Sequence, residues 1–467
     1  MTAFLKKGAA MRRFFMSALA LLAILLPAMP AEAAGDAPRL AKAVILCRHG
    51  LRSPTQTPEE LAAWSHRPWP EWNVAPGELT ARGAELLRFQ WTQFRQELAR
   101  QGLLPASGKL KKGSLFLYAD KNSRTRHSAE AILEGFAPEG GGEIRTHKGK
   151  GQDPLFHPVH SGLMPEPVFS AGERRALMQE LEQLCQREAK ALSCLSRILS
   201  PAVESPYSLH FPAEGTRRGV TLKGGLHTAS SAAEVLLLQC LEWPVRTQSL
   251  GENADGGRAN LSPIEEKTLQ ILRAPAPNSS LPAQTEQEPC PEAALDGPVM
   301  VSPRTALELL PVHASVQDIL QRARPQALSS GLPLLAVMTS ILAGTSPLPE
   351  ANDAALTVFV GHDTNIANIA GLLDLHWQNG EFPADSTPPG SMLCLTLWES
   401  AQGKVVKASF LRQSLAAMLT TDAEIMQDAA LYREALTLPG ADETGGGMAL
   451  DAFADAVLTL TEGPKQN

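Results

Sequence analysis

The chain has 467 residues, with 42 Lys and Arg against 49 Asp and Glu, and a formal net charge of −7. Its apolar fraction of 44% and charged fraction of 19% are those of a folded globular protein and exclude a disordered chain. The acidic balance excludes a protein that coats nucleic acid, because that function needs a basic surface, but it is compatible with a small basic pocket. The length predicts two or three domains, or one large domain with an insertion.

Residues 1–33 have the pattern of a secretory signal peptide. Four basic residues precede an apolar run at 14–26, and the small-residue site Ala31-Glu32-Ala33 follows. The run is shorter than the ~20 residues that cross a membrane, which favours a cleaved signal over a membrane anchor. Cleavage after Ala33 removes four positive charges and one negative charge, so the net charge changes from −7 to −10. We therefore expect a periplasmic or secreted protein with no membrane association after signal removal.

Three short, unbroken apolar runs lie at 43–47, 115–119 and 356–360, and charged residues follow each of them directly. Such runs indicate strands buried on both faces, as in a parallel sheet. Ligands bind beyond the carboxyl ends of these strands, where the charged residues would lie. The predicted fold class is α/β, with a mostly parallel central sheet flanked by helices and a second, smaller, mainly helical domain.

Helical periodicity fills much of the remaining sequence. A helix is predicted to begin after its N-cap Thr80 and to end at Gly102. The other helical patterns lie at 129–136, 173–198, 229–240, 316–323 and 334–342. A hairpin is predicted to join 392–398 to 405–411.

The order of these elements predicts the domain boundaries. We expect residues 34–164 and 322–467 to form the α/β domain and residues 165–321 to form the helical domain. Within the helical domain, segment 244–300 is rich in Pro and Gly and is expected to be a flexible insertion.

The six cysteines fit an exported protein only in part. Cys185 and Cys194 flank a short polar stretch, as the two ends of a local disulfide would. No His or Cys spacing typical of a metal site is found, so we expect no metal and no cofactor. The pairing state of the remaining cysteines is open; they are Cys47, Cys240, Cys290 and Cys394.

Arginines follow two of the predicted strands. Arg48 and Arg52 come after the first strand, and Arg124 comes after the second. Three guanidiniums that converge can hold a phosphate dianion through charge-assisted hydrogen bonds. They would also stabilise the charge on the oxygens of a phosphoryl group during its transfer.

Histidines and an aspartate accompany these arginines. His49 lies beside Arg48, and His362-Asp363 follows the third strand. A histidine in such a setting can be a nucleophile if its attacking nitrogen is neutral, and a carboxylic acid can protonate a leaving alkoxide. The combination indicates phosphomonoester hydrolysis through a phosphohistidine, with an acidic optimum because an unperturbed Asp has a pKa near ~3.9.

These residues also allow other interpretations. Ser53, Thr55 or Thr364 could serve a Ser/His/Asp hydrolase, but no G-x-S-x-G turn accompanies them. An anion-binding protein with an inactive site would need only the arginines, and the presence of His49 and Asp363 disfavours it. A phosphotransferase that uses the same phosphohistidine is a third possibility.

The paired motifs 48–54 (RHGLRSP) and 361–365 (GHDTN) resemble those of the histidine acid phosphatases, branch 2 of the histidine phosphatase superfamily. Stretches at 69–72, 79–83 and 153–158 extend the resemblance toward bacterial periplasmic phytases and glucose-1-phosphatases. It implies an α/β domain beside a smaller helical domain, with the substrate cleft between them.

The resemblance also implies roles for single residues. His49 would be the nucleophile and Asp363 the proton donor. The phosphate would be held by Arg48, Arg52, Arg124 and His362. Further substrate contacts would come from Thr55, Glu234 and Thr364. The Cys185–Cys194 pair would match a bridge of the bacterial enzymes.

Departures from the family pattern bear on the substrate. Thr364 is typical of the phytases, whereas Gln56 and Ser330 stand where the phytases have basic residues. The predicted function is hydrolysis of phytate or sugar phosphates, phytase-like (4-phytase), with a glucose-1-phosphatase or a broad acid phosphatase as alternatives. The expected partner is a small phosphate ester, with no nucleic acid, and we expect a monomer.

Overall fold

The computed structural model describes residues 37–199, 203–244, 297–422, 426, 430–441 and 447–461. The predicted signal peptide lies outside these residues. The same holds for the predicted insertion, apart from residue 244 and residues 297–300 at its two ends.

Within the part of the chain that the structure describes, ten strands form two sheets. They are β1 (Arg39–Arg48), β2 (Leu115–Ala119), β3 (Ile144–Thr146), β4 (Ser208–His210), β5 (Thr221–Lys223), β6 (Leu356–Gly361), β7 (Met392–Ser400), β8 (Gly403–Arg412), β9 (Tyr432–Leu436) and β10 (Gly447–Ala449). The main sheet has the order β10-β8-β7-β1-β6-β2-β3, and β9 also pairs with β8. β4 and β5 form a separate hairpin.

The helices within the described ranges lie on both faces of this sheet and in the block between β3 and β6. They are α1 (Pro58–Ala62), α2 (Ala81–Arg100), α3 (Ser123–Phe136), α4 (Pro158–Ser161), α5 (Ala171–Arg187), α6 (Ala189–Leu199), α7 (Gly225–Glu242), α8 (Pro303–Arg322), α9 (Arg324–Ala343), α10 (Pro349–Asn352), α11 (Asp363–Leu372), α12 (Leu415–Met418) and α13 (Leu450–Thr461).

The three predicted apolar runs are neighbouring parallel strands of the main sheet. β6 pairs in parallel with β1 on one side and with β2 on the other. The other half of the sheet, from β7 outward, is antiparallel and includes the predicted hairpin. The α/β prediction is therefore confirmed, and the parallel half of the sheet is the half that carries the charged strand ends.

β1 lacks polar alternation because both of its faces are buried. Val44 and Leu46 pack in one apolar core with α9 and α11. Ile45 and Cys47 point to the other face and pack against α2 and α3. A polar residue in this part of the strand would be buried without a partner on either face.

The start of α2 fixes the loop that follows β1. The Thr80 side chain caps the helix by accepting from the Gly83 amide at 2.9 Å, as predicted. The Thr80 amide donates to the Leu51 carbonyl at 3.1 Å. A Cβ on Gly83 would lie 2.1 Å from that same carbonyl oxygen, so only glycine allows this close approach.

Helices α8 and α9 begin at Pro303 and Arg324, well before their predicted starts at 316 and 334. Two further predicted helices also differ from the observed ones. α3 begins at Ser123 rather than at residue 129, so Arg124 lies in its first turn instead of before it. The pattern at 173–198 is two helices, which are separated at Glu188. The start of α3 was predicted too late because its first turn is polar. The pattern at 173–198 was predicted as one helix because its apolar periodicity continues across the break at Glu188.

Residues 165–321 contain an apolar core of their own. It is formed by α5, α6, α7 and α8, and Leu181, Leu195, Leu236 and Leu309 are among its members. Among the described residues, α9 is long and apolar enough to cross a membrane by length and composition, and most of it is buried in the protein.

The predicted Cys185–Cys194 disulfide is wrong. Cys185 carries a free thiol, whereas Cys194 is disulfide-bonded. A short polar spacer is therefore not enough to identify a local bridge, since the two residues lie on successive helices, α5 and α6. Cys47, Cys240 and Cys394 are buried free thiols, and Cys290 lies outside the described residues.

Candidate active site

The register of the parallel strands brings their charged ends together. Arg48 at the end of β1 lies opposite Gly361, and the His49 amide donates to the Gly361 carbonyl at 2.9 Å. On the far side of β6, the Asp120 amide donates to the Val360 carbonyl at 3.0 Å. The residues that follow three different strands therefore meet at one edge of the sheet.

Three arginines line this edge. The side chains of Arg48 and Arg52 are less than a tenth exposed, and both form ion pairs with Glu234 of α7. Arg124 lies on the other side and donates to Nδ1 of His362 at 3.2 Å. The Nε atom of each of these arginines is buried and has no hydrogen-bond partner among the described residues. Such donors are costly to bury unless a ligand supplies an acceptor.

His49 lies beneath the arginines and is 2% exposed. Its Nδ1 lies 2.9 Å from the carbonyl oxygen of Gly50. Because a carbonyl only accepts, this contact assigns the proton to Nδ1 and leaves Nε2 with a free lone pair. Burial lowers the pKa of His49 well below its usual value, and the charges of Arg48 and Arg52 lower it further. The imidazole is therefore neutral at acid pH, as a nucleophile requires.

His362 is held by a buried carboxylate. Its Nε2 donates to Oδ2 of Asp120 at 2.8 Å, and the same oxygen accepts from Nε2 of His157 at 3.1 Å and from Asn122 at 2.7 Å. Burial alone would raise the pKa of Asp120, but the hydrogen bonds from the two histidines outweigh it and lower the pKa strongly. Asp120 is therefore an anion that fixes the ring of His362, which in turn holds Arg124.

Asp363 is the first residue of α11 and faces the phosphate-binding arginines. Its Oδ2 lies 2.9 Å from an Arg48 nitrogen, and its Oδ1 accepts from the Thr364 amide at 2.7 Å. Burial would raise the pKa of Asp363, but the charge of Arg48 lowers it below its usual value. The resting site therefore holds Asp363 ionised, although a carboxylic acid is needed to protonate a leaving group.

Glu234 balances the arginines on the side of α7. Burial would raise its pKa, yet the charges of Arg52, His313 and Arg48 lower it well below the usual range. Since it carries ion pairs to two arginines, Glu234 positions them before substrate binds. The sequence predicted Glu234 as a substrate contact, and its observed partners are these guanidiniums.

The remaining predicted substrate contacts lie at the rim. Thr55 is exposed, and Thr55 and Arg124 flank Gly77, at 3.5 and 3.9 Å from the position of a Cβ there. Thr364 is half-buried in the first turn of α11. Ser330 on α9 accepts a hydrogen bond from Gln326 at 2.8 Å. A serine at this position contributes no positive charge.

A pocket opens on the other side of Arg48. Its lining includes His313 and Gln317 of α8 and residues of the 385–389 loop. Four carboxylates line it against one guanidinium, that of Arg48; they are Glu234, Asp318, Asp363 and Asp385. Asp318 and Asp385 each pair with Arg322, which lies behind them.

Among the described residues, two groups of side chains have oxygen or nitrogen atoms within 4.8 Å of one another, as metal ligands do. They are Asp120 with His157 and His362, and Glu234 with His313 and Asp363. Arg124 contacts the first group and Arg48 the second. These guanidinium charges oppose a cation at either place, so hydrogen bonding and proton transfer account better for both groups.

Three side chains of this site were not predicted from the sequence. Asp120 follows β2 directly, and the strand-end rule that found Arg48 and His362 could have found it. His157 lies in the stretch 153–158 that carries part of the family resemblance, but nothing there signals a contact to Asp120. His313 lies on α8, and only the packing of α8 against α7 and α11 brings it to the site.

Comparisons with known proteins agree with this geometry. The sequence profile of the histidine phosphatase superfamily (branch 2) matches residues 39–207. Phytase AppA of Escherichia coli (strain K12) is 28% identical over 432 residues, which cover 85% of this chain and 87% of the relative. The glucose-1-phosphatase of Salmonella typhimurium is 25% identical over 452 residues, which cover 94% of this chain and 97% of the relative.

Solved structures of phytases have the same fold. The apo form of the Hafnia alvei phytase superimposes with a TM-score of 0.69 at 27% identity and covers 92% of this chain and 98% of its own. The phytase from Citrobacter braakii gives a TM-score of 0.70 at 25% identity, with 90% and 98% covered.

Proposed function

Because the chain belongs to branch 2 of the histidine phosphatase superfamily and is a phosphatase, we propose that it cleaves phosphate monoesters through a phosphohistidine on His49. The Nε2 lone pair of His49 attacks phosphorus, and the ester P–O bond breaks as the P–N bond forms. The leaving alkoxide takes a proton from Asp363. Water then cleaves the P–N bond, and Asp363 takes back the proton of that water.

The buried Nε–H groups of Arg48, Arg52 and Arg124 carry this proposal. Three partnerless donors around a neutral histidine match the oxygens of a phosphate that is under attack at phosphorus. His362 completes the site by holding Arg124 in place. An enzyme of this design needs no charge on its nucleophile, so it works at acid pH.

The state of Asp363 depends on whether phosphate is bound. In the resting site, the ion pair with Arg48 lowers the pKa of Asp363. A bound phosphate forms an ion pair with Arg48, which weakens the ion pair between Arg48 and Asp363. The phosphate also adds negative charge beside the Asp363 carboxylate. Both effects raise the pKa of Asp363 and favour the protonated form that the leaving group needs.

The experiment is turnover of p-nitrophenyl phosphate at pH about 5 by His49→Ala. We expect activity to fall by at least about 10⁴-fold, since the nucleophile is lost. His210→Ala, which changes an exposed histidine on β4, is the control and should keep normal activity. Binding of inorganic phosphate by His49→Ala should persist through the arginines. Near-normal turnover by this variant would refute the mechanism.

The proposed substrates are phytate or sugar phosphates. The fold and the relatives named phytase support phytate, whereas the pocket beside Arg48 favours an ester with one phosphate, as in a glucose-1-phosphatase. Among the described residues, its lining offers no guanidinium beyond that of Arg48 for a second phosphate, and its carboxylates can accept hydrogen bonds from sugar hydroxyls. Comparison of kcat/KM on phytate, glucose 1-phosphate and p-nitrophenyl phosphate at acid pH separates these substrates from a broad specificity.

Export, assembly and domain organisation are part of the same proposal. The relatives' names support a bacterial enzyme of this type, and the pattern at 1–33 supports a periplasmic or secreted monomer without a membrane anchor. The separate apolar core of α5 to α8 supports a helical domain at 165–321 beside an α/β domain made of 34–164 and 322–467. N-terminal sequencing of exported protein should begin at Ala34, and a start upstream of residue 33 would contradict the cleavage.

A further inference from the structure

His313 lies where the proposed proton donor can exchange a proton with it. One imidazole nitrogen of His313 and one carboxylate oxygen each of Glu234 and Asp363 lie within 4.8 Å of one another. One water molecule that bridges the imidazole and a carboxylate would complete a path for proton transfer at this distance. His313 also lines the pocket beside Arg48, together with Glu234 and Asp363.

The backbone fixes which nitrogen of His313 faces the carboxylates. Its Nδ1 lies 3.1 Å from the carbonyl oxygen of Ser230 on α7, and 3.3 Å from the hydroxyl of the same residue. Because that carbonyl can only accept, Nδ1 carries a proton. Nε2 is therefore the nitrogen that faces the carboxylates of Glu234 and Asp363. This contact is favourable only when Nε2 or one of the two carboxylates carries a proton.

The charged groups around His313 all belong to the site. They come from β1, α7, α11, its own helix and the 385–389 loop, and are Arg48, Glu234, Asp363, Asp318 and Asp385. Glu234 is committed to two arginines, and Asp318 and Asp385 pair with Arg322. Asp363 has a single arginine partner, Arg48, and is the other carboxylate within 4.8 Å of the imidazole, so it can accept a proton from His313 and use it in the reaction.

We propose that His313 is a positioning residue that stores the proton which Asp363 delivers to the leaving group. This inference rests on the proposed function. The Nε2–H bond of His313 breaks as the Asp363 carboxylate becomes a carboxylic acid, and the acid then protonates the alkoxide as the ester P–O bond breaks. During hydrolysis of the phosphohistidine, the proton of the attacking water returns through Asp363 to Nε2. Neither step needs another reactant.

This arrangement removes a difficulty in the resting site. Arg48 keeps Asp363 ionised before substrate binds, so the acid has no proton of its own to give. A neighbouring imidazole whose Nδ1 is tied to the Ser230 carbonyl can supply that proton from Nε2. The alkaline limit of activity on poor leaving groups should therefore depend on His313.

The test is the pH profile of kcat/KM for His313→Asn, whose amide can keep the hydrogen bond to the Ser230 carbonyl. Two esters are compared: glycerol 2-phosphate, whose alkoxide needs a proton, and p-nitrophenyl phosphate, whose leaving group does not. We expect the alkaline limb for glycerol 2-phosphate to move down by about one pH unit and kcat/KM at pH 6 to fall about tenfold. The p-nitrophenyl ester should change less than about threefold.

His210→Asn is the matched control, because His210 is exposed on β4, and it should leave both profiles unchanged. Equal losses for the two esters, or an unshifted alkaline limb in His313→Asn, would overturn the proposed role. A merely structural role of His313 would lower kcat/KM for both esters by the same factor. If the unaltered protein hydrolyses neither ester, the proposed function itself fails, so the two failures are distinguishable.

Discussion

His49 and His362 occupy equivalent places at the ends of adjacent parallel strands, and their ring centroids are 5.6 Å apart. They differ in the partner of one ring nitrogen. His49 is bound to a neutral carbonyl, that of Gly50, whereas His362 donates to the buried carboxylate of Asp120. Burial lowers the pKa of both histidines, but Asp120 opposes this effect at His362 and nothing comparable does so at His49.

This contrast teaches how one residue type serves two purposes in a single site. A neutral partner and three nearby arginines keep His49 uncharged and leave one nitrogen free to attack. A carboxylate partner fixes the ring of His362 and makes it part of a network that holds Arg124. Substitutions of the two histidines and of their partners test this difference, and their expected effects on activity decrease from His49 to His157.

Removal of the two rings should have unequal consequences. His49→Ala should abolish both turnover and phosphoenzyme formation. His362→Ala should lower kcat/KM for p-nitrophenyl phosphate by about 10²- to 10³-fold, because Arg124 loses the partner that holds it in place, yet still form the phosphoenzyme. Radiolabelled ester followed by gel analysis measures the covalent species. Label on His49→Ala would reverse the assignment of the two histidines.

Asp120→Asn should weaken phosphate binding without loss of the nucleophile. The amide keeps the shape but removes the charge that orders His362, so we expect the inhibition constant of inorganic phosphate to rise about tenfold. The burst of p-nitrophenol should persist at one per active site. An unchanged inhibition constant would show that His362 needs no carboxylate behind it.

The same variant should change the stability of the protein in acid. The pKa of Asp120 is lower in the folded state than in the unfolded chain, so its contribution is full above about pH 4 and is lost as the pH falls through the folded pKa. We expect the unfolding temperature of Asp120→Asn to depend less on pH between about 4 and 2 than that of the unaltered protein. Parallel curves from thermal denaturation would contradict this.

His157→Gln is expected to have the smallest effect. A glutamine amide can still donate to Asp120 but cannot become charged, so kcat/KM at pH about 5 should change less than about threefold. A loss above about tenfold would place His157 in the phosphate site itself.

The sequence predicts this site well where chemistry follows a strand. Arg48, His49, His362 and Asp363 were found because apolar runs end at them, and parallel pairing then brings them together. The same rule applies to Asp120. Because carboxylates commonly follow strands, the sequence alone does not single out Asp120. Its role as the partner of His362 is recognised only from the observed position of β2 beside β6.

Contacts made by helices were harder to foresee. His313 lies far along the chain from Glu234, and no periodic pattern states which face of α8 meets α7 and α11. The Cys185–Cys194 pairing failed for a related reason, since spacing in sequence does not give the direction of side chains on two helices. Packing between elements decides both cases.

The most direct test of the central claim is to trap the covalent intermediate. Asp363→Asn should be phosphorylated by p-nitrophenyl phosphate, whose leaving group needs no proton, but should hydrolyse the intermediate slowly because the base for water is lost. We predict a burst of one p-nitrophenol per active site and an acid-labile, base-stable phosphate on the peptide that contains His49, attached at Nε2. Absence of a burst, or phosphate on any other residue, would contradict the proposed mechanism.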